Sequence, residues 1–151
     1  MPDRLTGEED RIFNQVEDLR MPDSVSAKEI VNLVREKGML AKQLYIVSTT
    51  PAGSLDKVME MVENHLDYQV DLERRGIMFA AGPNWTDDEK EWKGDGTVVI
   101  RAGSMAEAHA LMEADPMHSS GARKFTIRPW LVDEGRLSVE LDFSTGKFRM
   151  A

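Results

Sequence analysis

The sequence lacks cysteine altogether, which excludes disulfide bridges, thiolate metal sites and cysteine nucleophiles. It is also short of positive charge, because 19 Lys and Arg stand against 27 Asp and Glu, a formal net charge of -8. Nucleic-acid binding relies on clustered cations, so nucleic acid is not expected as a partner. No apolar run reaches the roughly 20 residues that span a bilayer, and no basic-then-apolar leader begins the chain. We therefore expect a soluble, cytoplasmic protein without a membrane partner.

The length, composition and residue patterns of the chain indicate one compact domain with extensions. The chain has 151 residues, of which 41% are hydrophobic, and that is enough for a core. Near the beginning, Thr6-Gly7-Glu8-Glu9 and Ser26-Ala27-Lys28-Glu29 have capping-box spacing, and apolar residues follow each at helical intervals. These patterns predict two short amphipathic helices, the second ending near Gly38. We interpret residues 1–42 as an N-terminal helical extension.

The middle of the chain alternates strand patterns with helix patterns. The strand patterns are QLYIVSTT, the glycine-bounded apolar run GIMFAAGP, GTVVIRAG and RKFTIRPW. One helix is predicted from its cap at Ser54 to Gly76, and another from the Ser104-Met105-Ala106-Glu107 capping box to Asp115-Pro116. We expect GIMFAAGP to be a buried strand, and the charged residues 84–94 to form a surface loop or a helical turn.

The resulting order over residues 43–132 is β-α-β-β-α-β, which is the ferredoxin-like plan of an α+β fold. Its four-stranded antiparallel sheet carries both helices on one face and leaves the other face bare. Pairing two sheets through a two-fold axis covers such a face, so we expect a homodimer or a higher homo-oligomer. Residues 133–151 predict a C-terminal hairpin that turns at Ser144-Thr145-Gly146.

Two titratable residues are candidates for a catalytic pair. His65 lies mid-helix on or beside the apolar face, where a core-edge histidine bonded to backbone or water explains it equally well. Asp115 precedes a proline at a helix end, where a turn-forming Asp-Pro is the ordinary explanation. A carboxylate there meets the negative end of the helix dipole and needs a compensating donor. Because the two helices pack side by side, the pair could meet, and an Asp–His pair performs general acid–base chemistry.

The other candidate residues and motifs give weaker evidence of a functional site. His118 follows Asp115 in a Met-His-Ser-Ser-Gly loop, where a solvated histidine is a simpler reading than one over a pocket mouth, and His109 lies on a helix flank. Metal-binding spacings such as His-x-His or His-Glu-x-x-His are absent, so no metal site is expected. The glycines match neither a dinucleotide fingerprint nor a phosphate-binding loop, and no nucleophile elbow is present. No cofactor is therefore expected.

Several ordered motifs resemble one known family. The segments NHLDYQVDLERRGIMFAAGP, GTVVIRAGSMAEAHALMEADPM and FTIRPW follow the pattern of the YciI-like family, from a helix histidine through Ala-Gly-Pro and Asp-Pro to Pro-Trp. The resemblance extends from Gln43 to Leu131. It implies a ferredoxin-like unit in a dimeric α/β-barrel, and the family's histidine–aspartate pair falls on His65 and Asp115. Met117 departs from the phenylalanine that is common after Asp-Pro.

The resemblance implies a reaction class and leaves the substrate open. This family and related dimeric barrels include a dehydrochlorinase, muconolactone isomerases and cofactor-free oxygenases, which transfer protons on small, often aromatic molecules. We expect a cofactor-independent lyase or isomerase acting on a small-molecule ligand, with His65 as general acid or base and Asp115 orienting it. Residues at strand and loop ends are expected to form the pocket wall: Tyr45, Gly82, Pro83, His118 and Trp130.

The alternative is a non-catalytic dimer that binds a small molecule or another protein. In that protein His65 and Asp115 form a structural hydrogen bond that ties the two helices together. Geometry distinguishes the two hypotheses, because catalysis needs an open apolar pocket beside the pair and a free imidazole nitrogen.

Overall fold

The first described helix, α1 (Ala27–Glu36), begins at the capping box that the sequence predicts. A computed structural model describes residues 23–150, so the helix predicted from Thr6 lies outside the described residues. The Ser26 hydroxyl oxygen accepts a hydrogen bond from the Glu29 N–H at 3.2 Å, and the Glu29 carboxylate accepts one from the Ser26 N–H at 3.1 Å. Two N–H groups at the beginning of the helix are thereby satisfied.

Four strands form the main sheet: β1 (Lys42–Pro51), β2 (Met78–Trp85), β3 (Trp92–Ile100) and β4 (Arg123–Val132). Their order is β2-β3-β1-β4, and every neighbouring pair is antiparallel. Helix α2 (Leu55–Arg74) follows β1, and α3 (Met105–Glu113) with the short α4 (Pro116–Ser119) follows β3. The ferredoxin-like α+β fold predicted from the sequence is confirmed.

The core lies between the sheet and the helices. Val47 of β1 lies opposite Val98 of β3 and Ile127 of β4, and positions two residues along each strand point the same way. These side chains pack with Leu72 of α2 and Met112 of α3, both of which are fully buried. Because burying a side chain of this size stabilises the fold by about 1.5–3 kcal/mol, the cluster fixes both helices on the sheet.

Strand β2 and the connection after it differ from two expectations drawn from the sequence. The expectation that GIMFAAGP is buried is wrong, because among residues 23–150 β2 pairs only with β3, and its residues from Phe79 to Trp85 are exposed. An edge strand has a neighbour on one side only, so an apolar composition does not by itself enclose it. The expectation of a surface loop or helical turn over residues 84–94 holds only for residues 86–91, because both ends of this segment belong to strands. Trp85 pairs with Trp92, so the two strands continue into a hairpin with a short connection.

Helix α3 ends at Glu113, and a new helix begins two residues later. Asp115 is the N-cap of α4, and its carboxylate accepts a hydrogen bond from the Met117 N–H at 2.9 Å. Pro116 suits the first helical position because it has no N–H to leave unsatisfied. Asp115 therefore does more than form a turn after the preceding helix. It satisfies a free N–H of the next one.

The two other predicted caps are only partly formed. Ser54 is the N-cap of α2, yet its side chain makes no capping hydrogen bond. The Ser104 hydroxyl oxygen accepts from the Glu107 N–H at 3.1 Å, but the Glu107 carboxylate accepts from the Gly103 N–H instead of the Ser104 N–H. The capping sequences therefore mark where both helices begin without fixing the hydrogen-bond partners.

The predicted C-terminal hairpin is present as β5 (Val139–Asp142) and β6 (Lys147–Met150). The register places Val139 opposite Met150 and Leu141 opposite Phe148, so these four apolar side chains share one face. Each is between 56% and 66% exposed. The hairpin therefore presents an apolar face that the described residues leave uncovered. Among the described helices, none combines the length and the apolar composition that crossing a bilayer requires.

Candidate functional site

A pocket of about 710 Å³ opens between α2 and the β2–β3 side of the sheet. Its walls are mostly apolar and include Val62, Leu66 and Val70 from the helix and Met78, Ala81 and Pro83 from the edge strand. A few polar side chains also line it, among them Thr49, His65, Gln69, Asp95 and Arg123. A concave, largely apolar volume with few polar groups is the usual form of a small-molecule site.

The histidine–aspartate pair lies at this pocket. His65 Nδ1 is 2.9 Å from Asp115 Oδ1 and 2.8 Å from Asp115 Oδ2. The His65 side chain is 15% exposed, whereas the Asp115 side chain is fully buried. Packing of Val58 on Met117 holds the helix that carries His65 against the short helix that Asp115 caps. Two residues that are distant in sequence are thereby brought into hydrogen-bond contact.

The Asp115 carboxylate is held in its ionised form. Burial alone raises the pKa of a carboxyl group, but the hydrogen bond and charge of His65 oppose this, together with the Met117 N–H and the Gln69 amide. The Gln69 Nε2 lies 3.0 Å from Asp115 Oδ2. The result is a pKa for Asp115 below its ordinary value of 3.8. Near neutral pH the carboxylate is therefore charged and can only accept hydrogen bonds.

That acceptor fixes the tautomer of His65. Since an ionised carboxylate has no proton to donate, Nδ1 must carry the hydrogen, which leaves a lone pair on Nε2 of the neutral ring. Within residues 23–150, no hydrogen bond involves His65 Nε2. The side chain lines the pocket, so a basic nitrogen with a fixed orientation is available to a small molecule bound there.

His118 has a structural position, and the expectation of a solvated loop histidine is wrong. It lies in α4, where its Nδ1 donates to the Met112 carbonyl oxygen at 2.7 Å and its Nε2 lies 2.9 Å from the Thr49 hydroxyl. Burial lowers the pKa of His118 below 6.5, although the Met112 carbonyl opposes the shift. With both nitrogens engaged, His118 connects α4 to β1 and does not line the pocket.

The expected pocket wall is found only in part. Gly82 and Pro83 of the edge strand line the pocket, but Tyr45 and Trp130 do not. Tyr45 lies opposite Ile100 on the helix-facing side and is buried in the core, where it is 4% exposed. Trp130 lies opposite Leu44, so the two-residue alternation of the strand places it on the other face of the sheet.

Several polar residues of the pocket were absent from the sequence expectations, Gln69 and Arg123 among them. Gln69 stands four residues after His65, so it shares that helix face and can reach the same carboxylate. Arg123 has the same alternation as Phe125 and Ile127, which makes it an inward-facing cation. Spacing in a helix and parity in a strand were the available signals. No group of three or more His, Cys, Asp or Glu in the described part of the chain has an arrangement that could hold a metal ion.

Comparison with known proteins gives a family match and a structural likeness. The family model of the YCII-related domain matches residues 43–131. No curated protein matches the chain. Among solved structures, the chain is similar to 5-chloro-2-hydroxyhydroquinone dehydrochlorinase from Burkholderia phenoliruptrix AC1100, in complex with 2,5-dihydroxybenzoquinone. The two are 22% identical with a TM-score of 0.49, and the match covers 58% of this chain and 92% of that one.

Proposed function

The chain belongs to the YCII-related domain family, and from this premise we propose that it is a small cofactor-independent enzyme of the lyase or isomerase type. In this proposal His65 moves a proton on a small molecule, aromatic-derived compounds included, and Asp115 orients the imidazole. The observation that carries the proposal is that His65 lines an apolar pocket and that its Nε2 has no hydrogen-bond partner among residues 23–150, while Nδ1 is bonded to Asp115.

The geometry supports a defined sequence of proton movements. His65 Nε2 takes a proton from a C–H or O–H group of the bound molecule, and the imidazolium that forms is stabilised by the Asp115 carboxylate. In an isomerisation the same nitrogen returns the proton to another atom of the substrate. In an elimination the electron pair left behind expels a leaving group, and His65 later loses its proton to solvent or to that group. Asp115 stays ionised throughout.

A sealed pair would favour the non-catalytic alternative, but this pair is not sealed. Asp115 is fully buried and the His65 side chain retains 15% exposure at the pocket. A purely structural histidine is better represented by His118, both of whose ring nitrogens are bonded. The contrast between the two histidines of one chain therefore supports a chemical role for His65.

Proton transfer can be tested without knowing the substrate. We expect the protein in D2O to accelerate hydrogen–deuterium exchange of at least one small carbon acid, from a panel of cyclic 1,3-diketones and hydroxylated aromatic acids, followed by NMR. His65→Gln should reduce this rate by about 10²–10⁴-fold, because it removes the base. His109→Gln is the matched control, since His109 lies outside the pocket and is half exposed. Exchange at the buffer rate for every compound, or unaltered exchange by His65→Gln, would contradict the proposal.

We also propose that the chain forms a homodimer or a higher homo-oligomer. The outer face of the sheet gives less support than the sequence suggests, because Leu44 and Val99 on that face are 1% and 7% exposed. The C-terminal hairpin gives more support. A two-stranded hairpin is at best marginally stable alone in water, and its apolar face is uncovered by the described residues. A second copy of the chain would cover it.

A further inference from the structure

Arg123 is a buried cation at the start of β4, and it lines the same pocket as His65. The residue is 7% exposed. Removing a charged side chain from water costs several kcal/mol unless the charge is paired and its hydrogen bonds are satisfied. Arginine does not escape this cost by losing its proton, because its guanidinium stays charged in proteins. A buried arginine therefore calls for an anionic partner.

No such partner is present among the described residues. Within residues 23–150, no ion pair and no side-chain hydrogen bond involves the Arg123 guanidinium, and its buried Nε has no acceptor. Asp115 and Asp95 are the carboxylates whose charges act on it, yet neither lies within ion-pair distance. Asp115 is already bonded to His65, Gln69 and the Met117 N–H. The cation is therefore left with unused donors inside a ligand-sized pocket.

Neighbouring groups orient the guanidinium without using its N–H donors. Arg123 Cζ lies 5.6 Å from the centroid of the Trp92 ring, which is the arrangement of a cation–π contact. The Trp92 Nε1 donates to the Asp95 carbonyl oxygen at 2.8 Å, which fixes the ring. A cation–π contact uses none of the guanidinium N–H donors, so they remain available to a ligand.

Gly96 keeps the space beside the guanidinium open. A Cβ added at Gly96 would lie 3.2 Å from the Gly82 carbonyl oxygen and 3.8 Å from Arg123 Nη1. Both glycines and Arg123 line the pocket together with Thr49, whose Cγ2 methyl would lie 3.4 Å from the added Cβ. A Cβ at position 96 would be in van der Waals contact with Nη1, and glycine avoids that contact.

We infer that Arg123 is the anion-binding residue of this pocket and that the ligand is a small planar acid whose carboxylate, phenolate or enolate oxygens bind the guanidinium edge. This inference rests on the proposed function, and it adds the substrate class. An acid anchored at Arg123 lies in the cavity that His65 lines, with its body between the apolar side chains of α2 and β2. The planar fork of arginine matches two oxygens of one carboxylate, which fixes orientation as well as charge.

Binding of benzoate and of its neutral isostere benzamide, followed at equilibrium by ligand-observed NMR and calorimetry, tests the inference. The wild-type protein should prefer benzoate. Arg123→Gln should weaken benzoate binding by about 10- to 100-fold while leaving benzamide binding within about twofold, as expected for loss of a charge-assisted hydrogen bond. Arg123→Lys, which keeps the charge without the fork, should lie between them. Arg128→Gln is the matched control, since Arg128 is an exposed arginine on the same strand.

Three results would overturn the inference. A wild-type protein that binds benzoate no more tightly than benzamide up to about 20 mM overturns it. So does an Arg123→Gln or Arg123→Lys variant that keeps full benzoate affinity, or an Arg123→Gln variant that loses both ligands equally. Because no turnover is measured, the result is independent of catalysis. His65→Gln should retain the preference for benzoate. A wild-type protein that prefers benzoate but catalyses no proton exchange would therefore contradict the proposed function and leave this inference standing.

Discussion

At the scale of single residues, a buried and ionised Asp115 carboxylate holds His65 through Nδ1, and Arg123, which is unpaired among residues 23–150, lines the same pocket. His65 and Asp115 are visible in the sequence because a helix histidine and an Asp-Pro step are rare features in ordered motifs. Tyr45 and Trp130 were misplaced because their position at strand ends does not reveal which face of the sheet they occupy. Arg123 was missed because a charged residue was not expected at an inward-facing position of the strand. An inward-facing charge breaks the usual alternation, and such breaks concentrate at functional sites.

His118 gives the residue-scale prediction. Since burial lowers its pKa below 6.5, the unfolded chain binds a proton more readily than the fold, and stability must fall as the pH drops below 6.5. The free energy of unfolding in urea should therefore decrease from about pH 7.5 to about pH 5.5. His118→Gln should be less stable by about 1–3 kcal/mol at the higher pH, because bonds to Thr49 and Met112 are lost, and should show a smaller decrease.

Two features make the His118 result specific. Asp115 also has a lowered pKa, but its contribution is present above pH 3.8 and is lost only as the pH falls further, so the two windows are separate. His109→Gln is the control, since the His109 side chain is 51% exposed. An His118→Gln protein whose stability falls as steeply as that of the wild type over this range would show that His118 is not the sensor.

At the scale of elements, period and capping patterns locate helices and strands, and neighbours decide their burial. GIMFAAGP is a strand as predicted, but it lies at the sheet edge where a pocket replaces packed side chains. The helix after β3 stops at Glu113 because Asp115 and Pro116 begin another helix, which moves the carboxylate toward His65. Sequence alone marks this break, yet only tertiary packing decides what the broken segment contacts.

The C-terminal hairpin gives the element-scale prediction. If a second copy covers its apolar face, the wild-type protein should have twice the 17.0 kDa chain mass by light scattering with size exclusion. Leu141→Glu should shift the mass to that of one chain, because a charge would be buried without a partner. Lys147→Gln changes the polar face of this hairpin without placing a like charge opposite Asp142, and should leave the assembly intact. A wild-type monomer, or a Leu141→Glu protein of unchanged mass, would contradict the prediction.

At the scale of the whole molecule, the ferredoxin-like fold makes the site. It lays α2 beside the segment after β3, so His65 meets a carboxylate far along the chain, and it leaves a pocket beneath the edge strand. The order of strands and helices was predictable because each element carries its own periodic pattern. The pocket was not, because its volume depends on how far apart the helix and the edge strand pack.

The central claim is that the Asp115 carboxylate holds His65 as the Nδ1–H tautomer with a basic Nε2, and ¹⁵N NMR of histidine-labelled protein at about pH 8 tests it directly. The His65 resonances, assigned by their absence in His65→Gln, should show a protonated Nδ1 and an unprotonated Nε2. Asp115→Asn should abolish this preference, because an amide can donate as well as accept. A wild-type His65 protonated on Nε2, or a tautomer unaffected by Asp115→Asn, would contradict the account.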